Sequence, residues 1–360
     1  MNVNKKRVLV GLSGGVDSSV AAYLLQQAGF QVEGLFMKNW EADDTDTYCA
    51  SQQDFEDAKA VAETLSIPLH TINFSEEYWD KVFSYCLAEF RLGRTPNPDV
   101  LCNREIKFST FLEHALSLGM DYMATGHYAQ NIQTHTNYLL KKGLDANKDQ
   151  SYFLYYLNQD ILPKALFPVG ALDKTRVRQI AIDAKLPTAH KKDSTGICFI
   201  GKRKFKTFLE KFIPAQPGSI ETPDKKSLGK HEGLMFYTLG QRQGLNIGGQ
   251  KDSEGHPWYV VGKDIIRNVL IVAEGIDNPL LFNNSLQAAE VHWIGEKPLQ
   301  FPFAASAKIR YRQPDQACVI EQGENDLYHV TFANPQRAIT PGQSIVFYAE
   351  DVCVGGGIIQ

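Results

Sequence analysis

KRVLVGLSGGVDSS, residues 6–19, decides the fold. Its first half is a short apolar run of strand length. Its second half turns on Gly14 and Gly15 into SSVAAYLLQQAG (18–29), where apolar residues at 20, 21, 24, 25 and 28 fall at helical spacing and Gly29 supplies a stop. A glycine-rich turn between a strand and a helix is where backbone N–H groups converge on an anion and the helix dipole adds positive potential. Gly11, Leu12, Ser13, Gly14, Gly15, Val16, Asp17 and Ser18 are the candidate phosphate cradle, with Ser13, Ser18 and Ser19 as hydroxyl donors and Asp17 placed to help hold a magnesium ion carried by phosphates. No lysine follows the glycines, so the loop is not a Walker A motif. A tight turn with a helix cap is the plain alternative.

Working outward, QVEGLFM (31–37), LHTINF (69–74) and DYMATG (121–126) read as further strands. Helical stripes lie between them: Phe55 to Leu65, Trp79 to Phe90, and Ile106 to Ala115. This alternation predicts an α/β fold, a doubly wound parallel sheet covered on both faces, with the loops at 13–17, 37–40 and 126–128 converging on one cleft. Helical patterns continue at QSYFLYYL (150–157) and TRVRQIAIDAKL (175–186). After residue 213 the texture changes. A turn-rich boundary leads into strand-like runs: LMFYTL, PWYVVGK, NVLIVAEG, SLQAAEVHWI, FAASAKIRYR, ACVIEQ, LYHVTF and SIVFYA. The predicted organisation is an α/β domain over 1–213 and two small mainly-β domains, a central one over 214–278 and a C-terminal β-barrel over 279–360.

A chain of 360 residues with 43% hydrophobic and 22% charged residues suits two or three globular domains. No apolar run is long enough for a membrane span, and the N-terminus lacks a signal-peptide pattern, so a cytoplasmic protein with no membrane partner is expected. The six cysteines, at 49, 86, 102, 198, 318 and 353, include no Cys-x-x-Cys and no zinc or cluster spacing. Individual thiols, not a bound metal, should carry any cysteine chemistry. Net charge is −4, yet residues 190–206 hold six Lys/Arg against one Asp. Such a run is a solvated loop or a phosphate-docking patch.

Two cysteines stand in suggestive settings. Cys102, in NPDVLCN (97–103), lies near a helix start, and Cys198, in KKDSTGICFIG (191–201), lies beside the basic run; both settings lower a thiol pKa. A cysteine among apolar residues is more often packing, the reading given to Cys86, Cys318 and Cys353. Cys49 has no assignment. Asp99 is an acid/base candidate or a turn cap, and His127 a functional imidazole or one satisfied at a strand end.

Ser-Gly-Gly-x-Asp-Ser resembles the PP-loop of ATP pyrophosphatases, which adenylate a substrate oxygen. The ordered series SGGVDSS, GRTPNPDVLCNREIKF, ATGHYA, GLDANKDQSYFLY, KKDSTGICFIG, GLMFYTLGQRQGL, KIRYRQ, ITPGQSIVFY and GGGII is similar to tRNA-specific 2-thiouridylases of the MnmA type, over essentially the whole chain. The resemblance implies ATP as the activating substrate, with Met37 and Gly126 against its adenosine. It implies a Cys198 persulfide as sulfur carrier, Cys102 as its partner thiol, a Cys102–Cys198 disulfide as one outcome, and Asp99 as acid/base. Asn97, Pro98 and Asp99 would meet the target base, and His127, Lys148, Asp149, Gln150, Gln343 and the KIRYR-strand residues Arg310 and Tyr311 the tRNA. The partners implied are the anticodon stem-loops of tRNAs for Lys, Glu and Gln, and a sulfur-relay protein or cysteine desulfurase. From charge alone, Lys191, Lys192, Lys202, Arg203, Lys204 and Lys206 are candidates for stem phosphates. A small-metabolite adenylating synthetase and a non-catalytic tRNA-binding protein are the alternatives.

Overall fold

The computed structural model describes residues 5–41, 51–193, 205–247 and 255–360. The glycine loop leaves β1 (Arg7–Gly11) and opens α1 (Val16–Gln27); β2 (Gln31–Lys38), α2 (Gln52–Leu65) and β3 (Leu69–Asn73) follow. Two long helical runs come next, α3 over 75–91 and α4 over 98–117, each interrupted by π-helical turns (Trp79–Phe83 and Asn103–Thr110). Then come β4 (Tyr122–Ala124), a hairpin of β5 (Ala129–Gln133) and β6 (Tyr138–Lys142), β7 (Ala165–Leu166) and α5 (Lys174–Asp183).

β1 is the centre of a parallel sheet of order β3-β2-β1-β4-β7. Its Val8, Leu9 and Val10 are fully buried because helices cover both faces. Val8 and Val10 pack with Val20, Ala21 and Leu25 of α1, Val61 of α2 and Val177 of α5. Leu9 and Leu35 face the other way, toward Val82 and Cys86 of α3 and Leu101, Ile106 and Phe111 of α4. Neighbouring strands depart from β1 in opposite directions, and that switch point is where open α/β sheets hold ligands.

The central domain pairs β8 (Gly218–Glu221), β9 (Ser227–His231), β10 (Trp258–Asp264) and β11 (Val269–Glu274) in the order β10-β11-β8-β9. In the C-terminal domain β12 (Phe282–Trp293), β13 (Phe303–Lys308), β14 (Gln316–Gln322), β15 (Tyr328–Arg337), β16 (Ser344–Ala349) and β17 (Val352–Ile359) form a sheet that the β12–β17 pairing closes into a six-stranded barrel.

Several expectations need correction. Residues 150–157 make only a short 3-10 turn, Ser151–Leu154, because their apolar side chains dock against the barrel instead of lining one helix face: Tyr152 Oη donates to the Ser344 carbonyl (2.8 Å). LMFYTL holds a 3-10 turn at Leu234–Phe236 in place of a strand. Arg310 and Tyr311 lie beyond the end of β13, since Gln313 accepts the Ile309 N–H through its side chain (2.9 Å) and donates its own N–H to Arg310 (3.2 Å), closing a turn. The expected parallel sheet of the first domain is present, with a hairpin added to the domain. This β5–β6 hairpin joins the barrel sheet through β17. That strand contains GGGII because neighbours crowd it: a Cβ on Gly356 would stand 2.5 Å from the Ile345 carbonyl oxygen and 2.7 Å from the Tyr155 ring.

Candidate functional site

The glycine loop is built as an open cradle. Gly15 caps α1 without a side-chain hydrogen bond, and the first N–H groups of a helix have no intrahelical acceptor. Ser18 Oγ accepts the Ser13 N–H (3.2 Å) and donates to the Gly15 carbonyl (3.1 Å), while Ser19 Oγ donates to the same carbonyl (2.8 Å). Gly14 has φ 70°, and a Cβ there would meet the Asp54 carbonyl oxygen at 2.3 Å. A Cβ on Gly126 would lie 2.7 Å from the backbone of Asp17 and Ser18, so β4 delivers this glycine against the start of α1. Gly11 lies between Phe111 of α4 and the Met37 side chain, 3.2 and 3.5 Å from where its Cβ would be. Leu12 and Val16 are buried beneath the loop. The predicted cofactor residues thus come together at the carboxyl end of the sheet, where Gly14 and Gly126 let backbone segments approach more closely than any side chain would allow.

Lys174, which sequence reading missed, supplies the cation this loop lacks. Its Nζ donates to both Asp17 carboxylate oxygens (2.7 and 2.8 Å) and pairs with Asp193 (2.9 Å), with its side chain only 12% exposed. Tyr128 Oη also donates to Asp17 (2.7 Å), so this carboxylate is neutralised by protein groups. Asp193 further accepts from Lys148 (2.6 Å) and Arg178 (2.7 Å). Burial raises the Asp193 pKa, but hydrogen bonds from Lys148 and Lys174 outweigh it and hold the carboxyl down at about 2. Lys191, expected on phosphates from its charge, instead bonds Asp54 (2.7 Å) and Asp57 of α2.

The polar loop leading to Cys102 is gripped by all three domains. Lys263 of β10 donates to the Gly93 carbonyl (2.7 Å), and burial pushes its ammonium pKa down to about 8. Thr95 donates its N–H to Pro341 (3.0 Å), and its hydroxyl lies 3.3 Å from that of Thr238. Gln343 Nε2 donates to the carbonyls of Thr95 (2.7 Å) and Pro96 (3.2 Å). Asn97, not Asp99, caps α4, accepting the Val100 N–H (3.3 Å) ahead of Pro98 at the first helical turn. Cys102 follows on that turn with 0% exposure, and the next residue, Asn103, donates to the Phe153 carbonyl (3.1 Å). Burial raises the Cys86 thiol pKa, and the nearby carboxylates of Asp99 and Glu89 add to it, bringing it to about 12.

Family profiles match the chain in three segments: a tRNA methyl transferase HUP domain over 6–202, a tRNA methyl transferase PRC-barrel domain over 206–274 and an aminomethyltransferase β-barrel domain over 283–359. The tRNA-specific 2-thiouridylase MnmA of Pseudoalteromonas translucida is 58% identical over 98% of this chain and 97% of its own. That of Vibrio cholerae is 57% identical over 99% of this chain and 97% of its own. The chain belongs to the MnmA family.

In this MnmA-family chain three of the residues expected to meet RNA, Asn97, Tyr311 and Lys148, lie along a run of contacts that leads to the glycine loop. The Asn97 side chain lies beside the Tyr152 hydroxyl. Tyr311 packs against Phe153 with ring centroids 4.4 Å apart and the planes tilted by 45°, and its hydroxyl donates to the Lys148 carbonyl (3.4 Å). Lys148 then reaches Asp193, and Asp193 reaches Lys174 and Asp17. Asp149 is 6% exposed and committed to the fold, accepting the N–H groups of Gly143 and Ser151 (both 3.0 Å). Gln150 accepts the Tyr128 N–H (3.0 Å), and Arg310 donates to the Ala338 (2.9 Å) and Leu239 (3.3 Å) carbonyls. Cys86, Cys318 and Cys353 are buried, as expected of packing thiols. Cys198, Cys49, Lys202, Arg203 and Lys204 lie outside the described residues. Among the described residues no helix is long and apolar enough to cross a membrane, and no cluster of His, Cys, Asp and Glu has metal-binding geometry.

His127 is 7% exposed, between the Phe108 and Phe167 rings, with Nδ1 2.7 Å from the Thr125 hydroxyl. Burial, reinforced by Lys107, holds its pKa well below the ordinary 6.5. Below that unfolded-state value the unfolded chain therefore binds a proton that the native chain does not. Stability contributed by neutral His127 is complete above about pH 6.5 and declines as pH falls, by up to about 1.4 kcal/mol per pH unit. The expected result is an acid limb in the urea-unfolding midpoint below pH 6.5 that is shallower in His127→Gln than in wild type.

Proposed function

We propose that this chain catalyses ATP-dependent 2-thiolation of the wobble uridine of tRNA, of the Lys, Glu and Gln type. The observation that carries the proposal is a whole-chain match to 2-thiouridylases combined with a glycine cradle and a clamped Cys102 loop at one end of one sheet.

The residues suit a two-stage exchange. The uracil O2 attacks the α-phosphorus of ATP and pyrophosphate leaves, making the oxygen part of a good leaving group. The cradle of N–H groups and hydroxyls at 13–18 binds the phosphates, with the magnesium that ATP carries sharing their charge. Lys174 sits beside them and Asp99 manages the base proton. Uridine must be splayed from its loop to reach this point. The terminal sulfur of a Cys198 persulfide then attacks C2, and the C2–O bond breaks as AMP departs. The Cys102 thiolate attacks Cys198 Sγ, forming the Cys102–Cys198 disulfide and freeing the 2-thiouridine; a dithiol reductant resets the pair. Attack of Cys102 on the persulfide to free hydrosulfide is the other balanced route. A sulfur-relay protein or cysteine desulfurase loads Cys198, and the β domains hold the RNA.

Similarity to tRNA methyl transferase domains offers a second reading, but methyl donors of the sulfonium class carry no phosphate chain and would leave the glycine cradle without a ligand. Tritiated S-adenosylmethionine and γ-labelled ATP, each offered with unmodified tRNA, separate the two: pyrophosphate release with no methyl incorporation is expected, and methyl incorporation overturns the proposal. Within the site, Lys174→Ala should raise the ATP KM by roughly 10- to 100-fold, the worth of one charge-assisted hydrogen bond, while leaving the affinity for adenosine unchanged. Equal losses for ATP and adenosine would remove Lys174 from the phosphates.

A further inference from the structure

Asn39 follows the last residue of β2 and is 2% exposed, yet among the described residues neither its Nδ2 nor its Oδ1 has a hydrogen-bond partner. A buried amide left unpaired on both atoms is costly, and few native polar groups are left so. Its neighbours keep it from turning out to water. On one side, the Lys38 carbonyl accepts the Phe74 N–H (2.7 Å). On the other, the Trp40 ring is enclosed by Tyr78, Trp79, Phe83, Phe208 and Phe212, with centroids 4.9–6.2 Å away. Glu41 is then fixed by Lys38 (2.8 Å), Asn73 (2.8 Å) and Ser75 (3.1 Å). The loop therefore holds an unsatisfied amide in place. It does so just past the carboxyl end of the sheet, two residues beyond the Met37 that packs beside Gly11.

We infer that Asn39 is a base-reading residue: its amide takes the edge of a nucleobase that presents a donor and an acceptor side by side. A carboxamide offers one N–H donor and one C=O acceptor in a plane, the pattern that pairs with adenine and, with the roles exchanged, with the N3–H and carbonyl of uracil. The inference deepens the proposed function, since both substrates of that reaction, ATP and a splayed uridine, bring such an edge to this end of the sheet.

Asn39→Leu tests it, because leucine matches the volume and removes the two unpaired atoms. The ligand-free variant should unfold at or above the wild-type temperature, while affinity for one base-bearing ligand falls roughly 5- to 100-fold, as for loss of a bidentate base contact. Binding is measured separately for ATP, for the triphosphate of purine riboside, which lacks the exocyclic amine, and for an unmodified anticodon stem-loop. Loss confined to ATP, with the purine analogue bound equally by both proteins, assigns the adenine. Loss confined to the stem-loop assigns the uracil. Unchanged affinity for all three overturns the inference, as does a lowered unfolding temperature with equal losses for all three. Because binding is read without turnover, a wild-type protein that binds both substrates and fails to thiolate would sink the proposed reaction and leave this inference standing.

Discussion

Cys102→Ser is expected to lower sulfur incorporation into tRNA by roughly 10³-fold or more, the usual scale for removing an essential nucleophile, while ATP-dependent adenylation of the tRNA persists. The substitution changes one atom in a fully buried position, so the fold should survive it. The separation follows from the architecture. Cys102 sits on the first turn of α4, in the clamped loop, whereas the phosphate cradle is made by the turn after β1 and by Gly126. Radiolabelled sulfur in tRNA and labelled AMP on tRNA, measured in the same reaction, check it. Loss of both signals together would make Cys102 part of the activation step, contrary to the account.

Gly14→Ala should have an effect of similar size on the other half of the reaction. At φ 70° an alanine costs on the order of 1 kcal/mol, and its methyl carbon would lie 2.3 Å from the Asp54 carbonyl oxygen, a backbone atom that moves only if α2 moves. Relief by shifting the loop turns the N–H groups away from a common point. We expect ATP affinity to fall by more than about 100-fold, on the scale of losing two oriented charge-assisted hydrogen bonds. The unfolding midpoint should drop at the same time. Isothermal titration with a non-hydrolysable ATP analogue reads the first effect and urea denaturation the second. Wild-type affinity in this variant would show that the turn does not contact phosphate.

These two sites were legible in the sequence for a physical reason: each is a local motif whose residues act on their own neighbours. A strand, two glycines, a serine-rich helix start and an Asn-Pro-Asp cap before a cysteine need no long-range contact to be recognised. Lys174 carried no such signal. It is one cation in KTRVRQ, and only the fold brings it to Asp17, 157 residues earlier in the chain. Asn39 was equally silent, since a polar residue after a strand reads as a loop until its burial is known. Strands β8 and β9 are masked by the turn-rich sequence around them, and β17 is masked because glycine carries no strand preference. Arg310 and Tyr311 were placed on a strand because β-type residues continue past Lys308; a single glutamine side chain, Gln313, ends it. Gln343 was expected at RNA, and the structure shows it bonded to the loop carrying Asn97, Pro98 and Asp99.

The most direct test supplies the whole chain with ATP, a persulfide donor and unmodified tRNA, and reads the wobble nucleoside by mass spectrometry. The account predicts replacement of one oxygen by one sulfur at that uridine, with one AMP and one pyrophosphate released per sulfur, and no product without ATP. ATP consumption without a change in nucleoside mass, or thiolation that proceeds equally well without ATP, would contradict it.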